Sequence, residues 1–409
     1  MRILVLHQYF LEDNDPGASR FNEMTKVWSS QGHTVTVLAG MMHYNGHEKY
    51  PEYKGIHFKH KMQGPVEVWR CHVSESYNKS FIGRLWGYFS FVFSSLWAGL
   101  TKVKGSYDVI LVTSPPLFVG ITGVLLSWFK RTPFVFEIRD LWPESAIDTG
   151  VVTNKFIIKM AYAFEHFIYR RAKLINVLTP AFRTTLIEQK GVPSEKIVFI
   201  PNAADFSLSD ELLHTFDAAA FKKELGQEDL FVVTYVGAHG VANHLDQLLD
   251  TAELLRDEPI LIQLIGDGME KKRLVEEARK RGLDNVLFRD PVPKKEVFKY
   301  ILASDLGASV LKKVDTFKTI YSNKTFDYMS CRRPILLAID GVSRELVETA
   351  QCGLFVEPEN ARSIADGILY YRAHPERRTQ DGANGFAYAK NHFDRDVLAR
   401  RYAEYLSNL

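Results

Sequence analysis

The chain has 409 residues, 46% hydrophobic and 24% charged, a make-up of a globular protein too long for one ordinary core, so two domains of roughly 200 residues are expected. A formal net charge of +2 argues against a dedicated nucleic-acid binder, which would carry a strongly basic face, and no nucleic-acid partner is expected. Cys71, Cys331 and Cys352 are scattered with no CxxC or Cys/His cluster, which indicates neither a zinc site nor a disulfide framework and fits a reducing, cytoplasmic setting.

Met1, Arg2 and the apolar run Ile3 to Leu6 give way at once to His7 and Gln8, which predicts a buried strand (residues 2–10) and not a signal peptide. No stretch offers the roughly 18 uninterrupted apolar residues of a membrane span. A polar loop (11–19) holds Asp15, Pro16 and Gly17, and a helix over 20–31 and a strand over 34–39 complete a βαβ opening. Such an opening implies a parallel sheet with functional loops at the carboxyl ends of its strands. Gly17 is either a simple turn or a place where backbone approaches a ligand. His33 reads as structural.

Residues 41–65 form a polar excursion whose His43, His47, His57 and His60 show no metal-ligand spacing; it suits an acceptor-side loop, followed by a strand over 67–73. Residues 81–100 crowd Trp86, Phe89, Phe91, Phe93 and Trp97 onto one helix with basic flanks, which fits either a core helix or a helix lying on a membrane surface. Strands over 108–113 and 134–138 bracket the next helix. The second runs into Arg139, Asp140, Leu141, Trp142, Pro143 and Glu144, charged groups where a site on a doubly wound sheet would lie, though ion pairing of Arg139 with a neighbouring carboxylate is the plainer reading. An amphipathic helix over 155–171, ending in Arg170 and Arg171, then a strand, helix and strand to residue 200 close the first half.

Pro201 and Asn202 break the pattern and mark a domain boundary. The second half repeats the architecture with strands over 230–236, 260–265, 286–289, 306–311, 335–339 and 354–356, and helices from 362 and from 395. Its loops carry Gly237, Ala238, His239 and Gly240, then Gly266, Asp267 and Gly268. The most informative stretch is 321–334. Ser322 or Asn323 is a natural N-cap for a helix ending before Pro334. Lys324 in its first turn opposes the helix dipole unless an anion sits there too, and a phosphate would meet both the lysine and the free backbone N–H groups. Asp327, one turn on, suits ribose hydroxyls. A surface ion pair between Lys324 and Asp327 is the alternative.

These motifs in this order, from Gly17 through Arg139 to Ser145, Pro201-Asn202, Gly237 to Gly240, Gly266 to Gly268 and Ser322 to Met329, resemble the GT-B glycosyltransferases of family 4. More narrowly they are similar to the bacterial O-antigen and capsule branch typified by N-acetyl-fucosamine transferases. The resemblance implies an α/β chain of two Rossmann-like, doubly wound parallel-sheet domains facing across a cleft: residues 1–202 on the acceptor side, 203–390 binding the nucleotide sugar, and a helix in 391–409 crossing back. It implies retention of anomeric configuration, no essential metal and no cofactor, the nucleotide sugar being a substrate. Lys324 corresponds to the family's diphosphate-binding base, Asp327 to its ribose-binding carboxylate and Gly17 to the glycine facing the diphosphate. Gly237, His239, Gly240, Gly266, Ser322, Asn323 and Thr325 complete the expected donor contacts. The chain departs from the wider family at Thr319, where a Glu is usual, and at Ala238, His239 and Asn243.

The expected activity is transfer of an N-acetylated deoxyhexosamine from a UDP-linked donor to a polyprenyl-diphosphate-linked saccharide in surface polysaccharide assembly. Lys324 and the helix start would stabilise the departing diphosphate, and Asp140 or Glu144 would position the acceptor. Contact with the inner face of the plasma membrane through residues 81–100 would make the protein peripheral. A sugar-nucleotide epimerase or a nucleotide-binding protein without turnover are the rivals. A nicotinamide enzyme is disfavoured because Gly266 and Gly268 lack the third glycine of the dinucleotide turn.

Overall fold

The computed structural model describes residues 1–13, 15, 20–42, 49–76, 81–148 and 152–409. Gly17, Pro16, His43, His47 and Lys79 lie outside the described residues. The chain forms two compact units, one of residues 1–201 with 396–409, the other centred on 202–395.

The first unit contains β1 (Arg2–Leu6), α1 (Arg20–Ser30), β2 (Thr34–Gly40), β3 (Phe58–Gln63), β4 (Val66–Cys71), α2 (Phe81–Thr101), β5 (Val109–Ser114) and α3 (Val119–Lys130). It continues through β6 (Phe134–Ile138), α4 (Glu144–Asp148), α5 (Lys155–Arg171), β7 (Leu174–Val177), α6 (Pro180–Glu188) and β8 (Ile197–Phe199). Among the described residues its sheet has eight strands in the order β3-β4-β2-β1-β5-β6-β7-β8, parallel except for β3 against β4. The parallel strands are apolar runs because helices cover both faces, as in β5 and β6, whose every residue is buried. The excursion at 41–65 contains β3, a strand the sequence did not suggest. Lys59, His60 and Lys61 sit on it as on an edge strand, whose charge discourages further pairing, and so it shows no apolar alternation. β1 stops at Leu6 and not at residue 10, because His7 turns its Nδ1 onto Thr113 Oγ1 at 2.7 Å.

The second unit contains α7 (Phe206–Thr215), α8 (Ala218–Glu224), β9 (Phe231–Val236), α9 (Asp246–Leu254), β10 (Ile260–Ile265), α10 (Lys271–Lys280), β11 (Val286–Arg289) and α11 (Lys294–Ala303). Then come β12 (Leu306–Val310), α12 (Asn323–Ser330), β13 (Ile335–Ala338), α13 (Val342–Ala350), β14 (Gly353–Phe355), α14 (Ala361–Ala373) and α15 (Pro375–His392). Its six-stranded sheet, β11-β10-β9-β12-β13-β14, is parallel throughout. One core cluster joins the α9 and α14 side to the strands, and another joins α11, α12 and α13. α16 (Arg395–Ser407) packs with the first unit, where Trp28 Nε1 donates to Ala399 O at 2.7 Å and its ring meets Tyr402 edge-on.

Candidate active site

α12 is anchored by Tyr328 in its second turn. Its buried ring lies over Gly307 of β12, where a Cβ would stand 2.4 Å from the ring, so no larger residue fits. Its hydroxyl shares a proton between the carbonyls of Thr234 and Ala308, both at 3.0 Å, and accepts from Val236 N at 3.2 Å. These bonds pin the second turn of α12 to β9 and β12, and Lys324, four residues earlier on the same face, is held beside the same strands.

Lys324 therefore lies against β9. A Cβ on Gly237 would come within 2.8 Å of Lys324 Cε and 3.3 Å of Nζ, so the glycine leaves a channel for the lysine stem. The ammonium stands 4.8 Å from the centre of the Tyr235 ring, a cation–π distance. Among the described residues neither Lys324 Nζ nor the Asp327 carboxylate forms a hydrogen bond or an ion pair, which removes the surface-pair reading. Burial lowers the Lys324 pKa to about 8, with the Asp327 charge opposing. Burial likewise raises Asp327 to about 6; Lys294 and Lys324 oppose this and Asp205 adds to it. Asp205 itself accepts Lys294 Nζ at 3.0 Å and Ser207 Oγ at 2.7 Å.

Ser322 occupies the N-cap position with extended backbone, but its side chain does not cap, which corrects the expected role. Its hydroxyl accepts from Ser309 Oγ at 2.8 Å inside the core. The N–H groups of Asn323 and Lys324 consequently have no acceptor among the described residues, and they join the lysine in offering positive charge. Asn323 is exposed, whereas Thr325 is buried with its Oγ1 unpaired. Thr319 ends a short 3-10 turn, its hydroxyl donating to Thr316 O at 2.7 Å.

The two glycine loops interlock beside this helix start. Gly237 and Gly266 have φ of 141° and 147°, where side chains are strained, and a Cβ on Gly266 would fall 1.9 Å from Gly237 O. His239 N donates to Asp267 O at 2.8 Å, and Glu270 N to His239 O at 2.9 Å. Gly240 has only Asn243 Oδ1 near a notional Cβ, at 3.6 Å, so packing does not demand a glycine there. The His239 ring is wholly buried between Tyr235 and Phe288, and neither ring nitrogen has a partner. Burial, then the Lys271 charge, lowers its pKa to about 4, so the ring is neutral at neutral pH.

Asp140 and Glu144 belong to the first unit. Ser145 and the Leu141 N–H hydrogen-bond Asp140, yet burial, with Glu144 adding, raises its pKa to about 6. Glu144 pairs with Lys190 at 2.7 Å, and Lys190 also holds the buried Glu165 at 2.6 Å. The neighbouring Glu137 accepts two bonds from Arg20, both at 3.1 Å. Sequence reading missed Tyr235 as a platform; its signal was an aromatic one residue from the strand end and two before a glycine. Lys294 and Asp205 gave no local signal, since they reach Asp327 only through the fold.

Residues 17–203 match the family described as glycosyl transferase 4-like domain, and residues 217–388 match glycosyl transferases group 1. The chain is a glycosyltransferase of the GT-B fold, with one domain of each kind. It is 24% identical over 387 residues to the putative colanic acid biosynthesis glycosyl transferase WcaI of Escherichia coli K12, covering 93% of both chains. It is 23% identical over 262 residues to the probable glycosyltransferase WbjE of Pseudomonas aeruginosa, covering 61% of this chain and 62% of that one. Anabaena HepE, solved with UDP-glucose, superposes with a TM-score of 0.72 at 21% identity over the whole of both chains. WaaG, a glycosyltransferase involved in lipopolysaccharide biosynthesis, gives 0.69 at 15% identity over 99% of both.

Proposed function

We propose that the chain is a retaining, family 4 glycosyltransferase that moves an N-acetylated deoxyhexosamine from a UDP-linked donor to a lipid-linked saccharide in bacterial surface polysaccharide assembly. The observation that carries this reading is Lys324: a recessed ammonium over the Tyr235 ring, without a counter-ion among the described residues, beside two free N–H groups of a helix start. A cation so placed lacks only an anion, and a diphosphate supplies one whose charge grows as the sugar departs. Asp327, held 3 positions on along the helix, accepts hydrogen bonds from ribose hydroxyls. The uridine assignment is supported by the UDP-glucose bound in the HepE structure, and the polysaccharide assignment by the name of the colanic acid relative. Asp140, or Glu144 beside it, orients the acceptor hydroxyl, whose proton passes to the departing diphosphate oxygen as the new glycosidic bond forms on the same face. Gly17 belongs to the donor contacts in this reading.

The test is an NMR assay with UDP-N-acetylhexosamines and a synthetic prenyl-diphosphate saccharide. An axial product linkage from an axial donor is expected. An inverted linkage would refute the retaining mechanism, and conversion of the donor sugar without acceptor would favour an epimerase.

A further inference from the structure

In the first unit, α3 packs on both α2 and α5. Gly99 of α2 admits the Leu126 side chain, Gly120 of α3 admits Ile168, and Ser95 Oγ meets Thr122 Oγ1 at 3.2 Å, so the three helices lie in close contact. Their inner sides are core: Phe91, Ala98, Leu126 and Ile168 are fully buried. Their outer sides are not what a water-facing helix presents. On α2, Trp86, Phe93, Trp97 and Leu100 are exposed at spacings of seven, four and three, which is a single helical stripe. On α5, Phe156, Met160 and Phe167 form another stripe, and Trp128 and Phe129 stand at the end of α3. Trp128 and Phe156 are 71% and 70% exposed. Scattered exposed apolar residues are ordinary, but stripes on α2 and α5, flanking the exposed Trp128 and Phe129 of the α3 that packs on both, are of the kind that marks an interaction surface.

The charge of the same helices selects the occupant. Among their described residues the one acid is Glu165, which is buried against Lys190. Exposed cations surround the aromatics: Lys102 and Lys104 after α2, Arg131 after α3, Lys155 and Lys159 on the start of α5, and Arg170 and Arg171 at its end. Arg171 lies over the Phe167 ring at 5.5 Å and lines a groove of about 370 Å³ with Val124 and Trp128. No helix of the described residues is long and apolar enough to cross a membrane. Tryptophan and phenylalanine beside lysine and arginine, with no exposed acid among the described residues of the three helices, match the headgroup layer of an anionic bilayer, where rings enter the acyl boundary and cations meet phosphates.

We propose that α2, α3 and α5 together form a docking face for an anionic lipid bilayer, with Trp128 and Phe156 inserting and Lys159, Arg170 and Arg171 meeting headgroup phosphates. This deepens the reading of a lipid-linked acceptor, because it holds the acceptor-side unit at the surface that would carry such a lipid. It is tested without nucleotide, acceptor or turnover, so it fails or stands separately from that reading.

The full chain is floated with vesicles of phosphatidylcholine alone and of phosphatidylcholine mixed with phosphatidylglycerol. Binding is expected to the mixed vesicles and to weaken sharply in about 1 M salt, where screening is nearly complete. Combining Trp128→Ser with Phe156→Ser should lower partitioning about tenfold or more at an unchanged melting temperature. Combining Arg170→Glu with Arg171→Glu should abolish the preference for anionic vesicles. Absence of flotation, equal flotation of wild type and variants, or a concentration-dependent dimer dissolved by the same substitutions would overturn the proposal.

Discussion

The carboxyl end of β6 in the first unit and the start of α12 in the second both gather buried and half-buried charges, and they treat most of them oppositely. At β6, Glu137 is matched by Arg20, and Glu144 and Glu165 share Lys190, while Asp140, whose pKa burial raises to about 6, is the exception at that end. At α12, Lys324 and Asp327 sit on one helix face with no partner within bonding distance among the described residues, and burial drags both pKa values toward neutrality. A buried charge that is paired is part of the scaffold; one held unpaired costs stability and calls for a ligand. The same contrast separates two buried polar groups, Glu165 and His239. Glu165 is bonded to Lys190 and Tyr169, whereas both nitrogens of His239 are orphaned.

The contrast breaks first if pairing at β6 proves dispensable. Lys190→Met strands Glu165 in the core and should cost about 3 to 5 kcal/mol in denaturant unfolding. With the lysine gone the Glu165 carboxyl, already raised by burial, rises further and holds a proton in the folded state, so the variant should lose stability as pH rises above the ordinary carboxylate range. A loss confined to activity would mean Lys190 is catalytic and not structural.

At α12 the expected result is reversed. Lys324→Ala should lower turnover about 10²- to 10³-fold, the usual effect of removing one charge stabiliser at a leaving group, with the unfolding midpoint no lower than wild type. Asp327→Asn sharpens the same point in the other direction. The folded carboxyl titrates at about 6, above its ordinary 3.8, so the fold penalises the charged form fully above pH 6 and not at all below about 4. The variant should therefore be more stable than wild type at pH 7, by about 1 to 3 kcal/mol, yet bind a nucleoside diphosphate less tightly, and the gain should vanish near pH 4. A destabilised variant at pH 7 would show that Asp327 has a structural partner.

The smallest expected effect is alkaline. Lys324 titrates at about 8, below its ordinary 10.5, so the cation is present below that pH and lost above it. Nucleoside diphosphate affinity should fall by up to about tenfold for each pH unit above 8. Lys324→Arg, which stays charged, should flatten that limb of a calorimetric titration.

How much of this was legible in the sequence depended on whether the signal was local. The amphipathic repeat of α5 gave Lys155–Arg171 to the residue, and the cap residues placed the start of α12. The polar stretch at 58–63 hid an edge strand because its side chains face water. α15 was missed because its inward residues are small: Asp381, Gly382, Gly385 and Ala389 are buried, and Gly382 fits where a Cβ would meet Arg332 O at 2.2 Å. For α2 the sequence left core and surface as alternatives, and the structure contains both on opposite sides of one helix. Lys324 was legible as an anomaly in a first turn. Its isolation was not, because Tyr235, Gly237 and the diversion of the Ser322 hydroxyl to Ser309 are tertiary.

Thermal stabilisation by UDP, GDP, dTDP and NAD, measured on wild type and Lys324→Ala, tests Lys324 as the diphosphate-binding cation. A ligand at 100 times its dissociation constant adds about 2.7 kcal/mol, a readily measured shift. UDP should stabilise the wild type more than the others do, and Lys324→Ala should lose most of that shift. Stabilisation by NAD, by no nucleotide, or by UDP equally in both proteins would contradict that role.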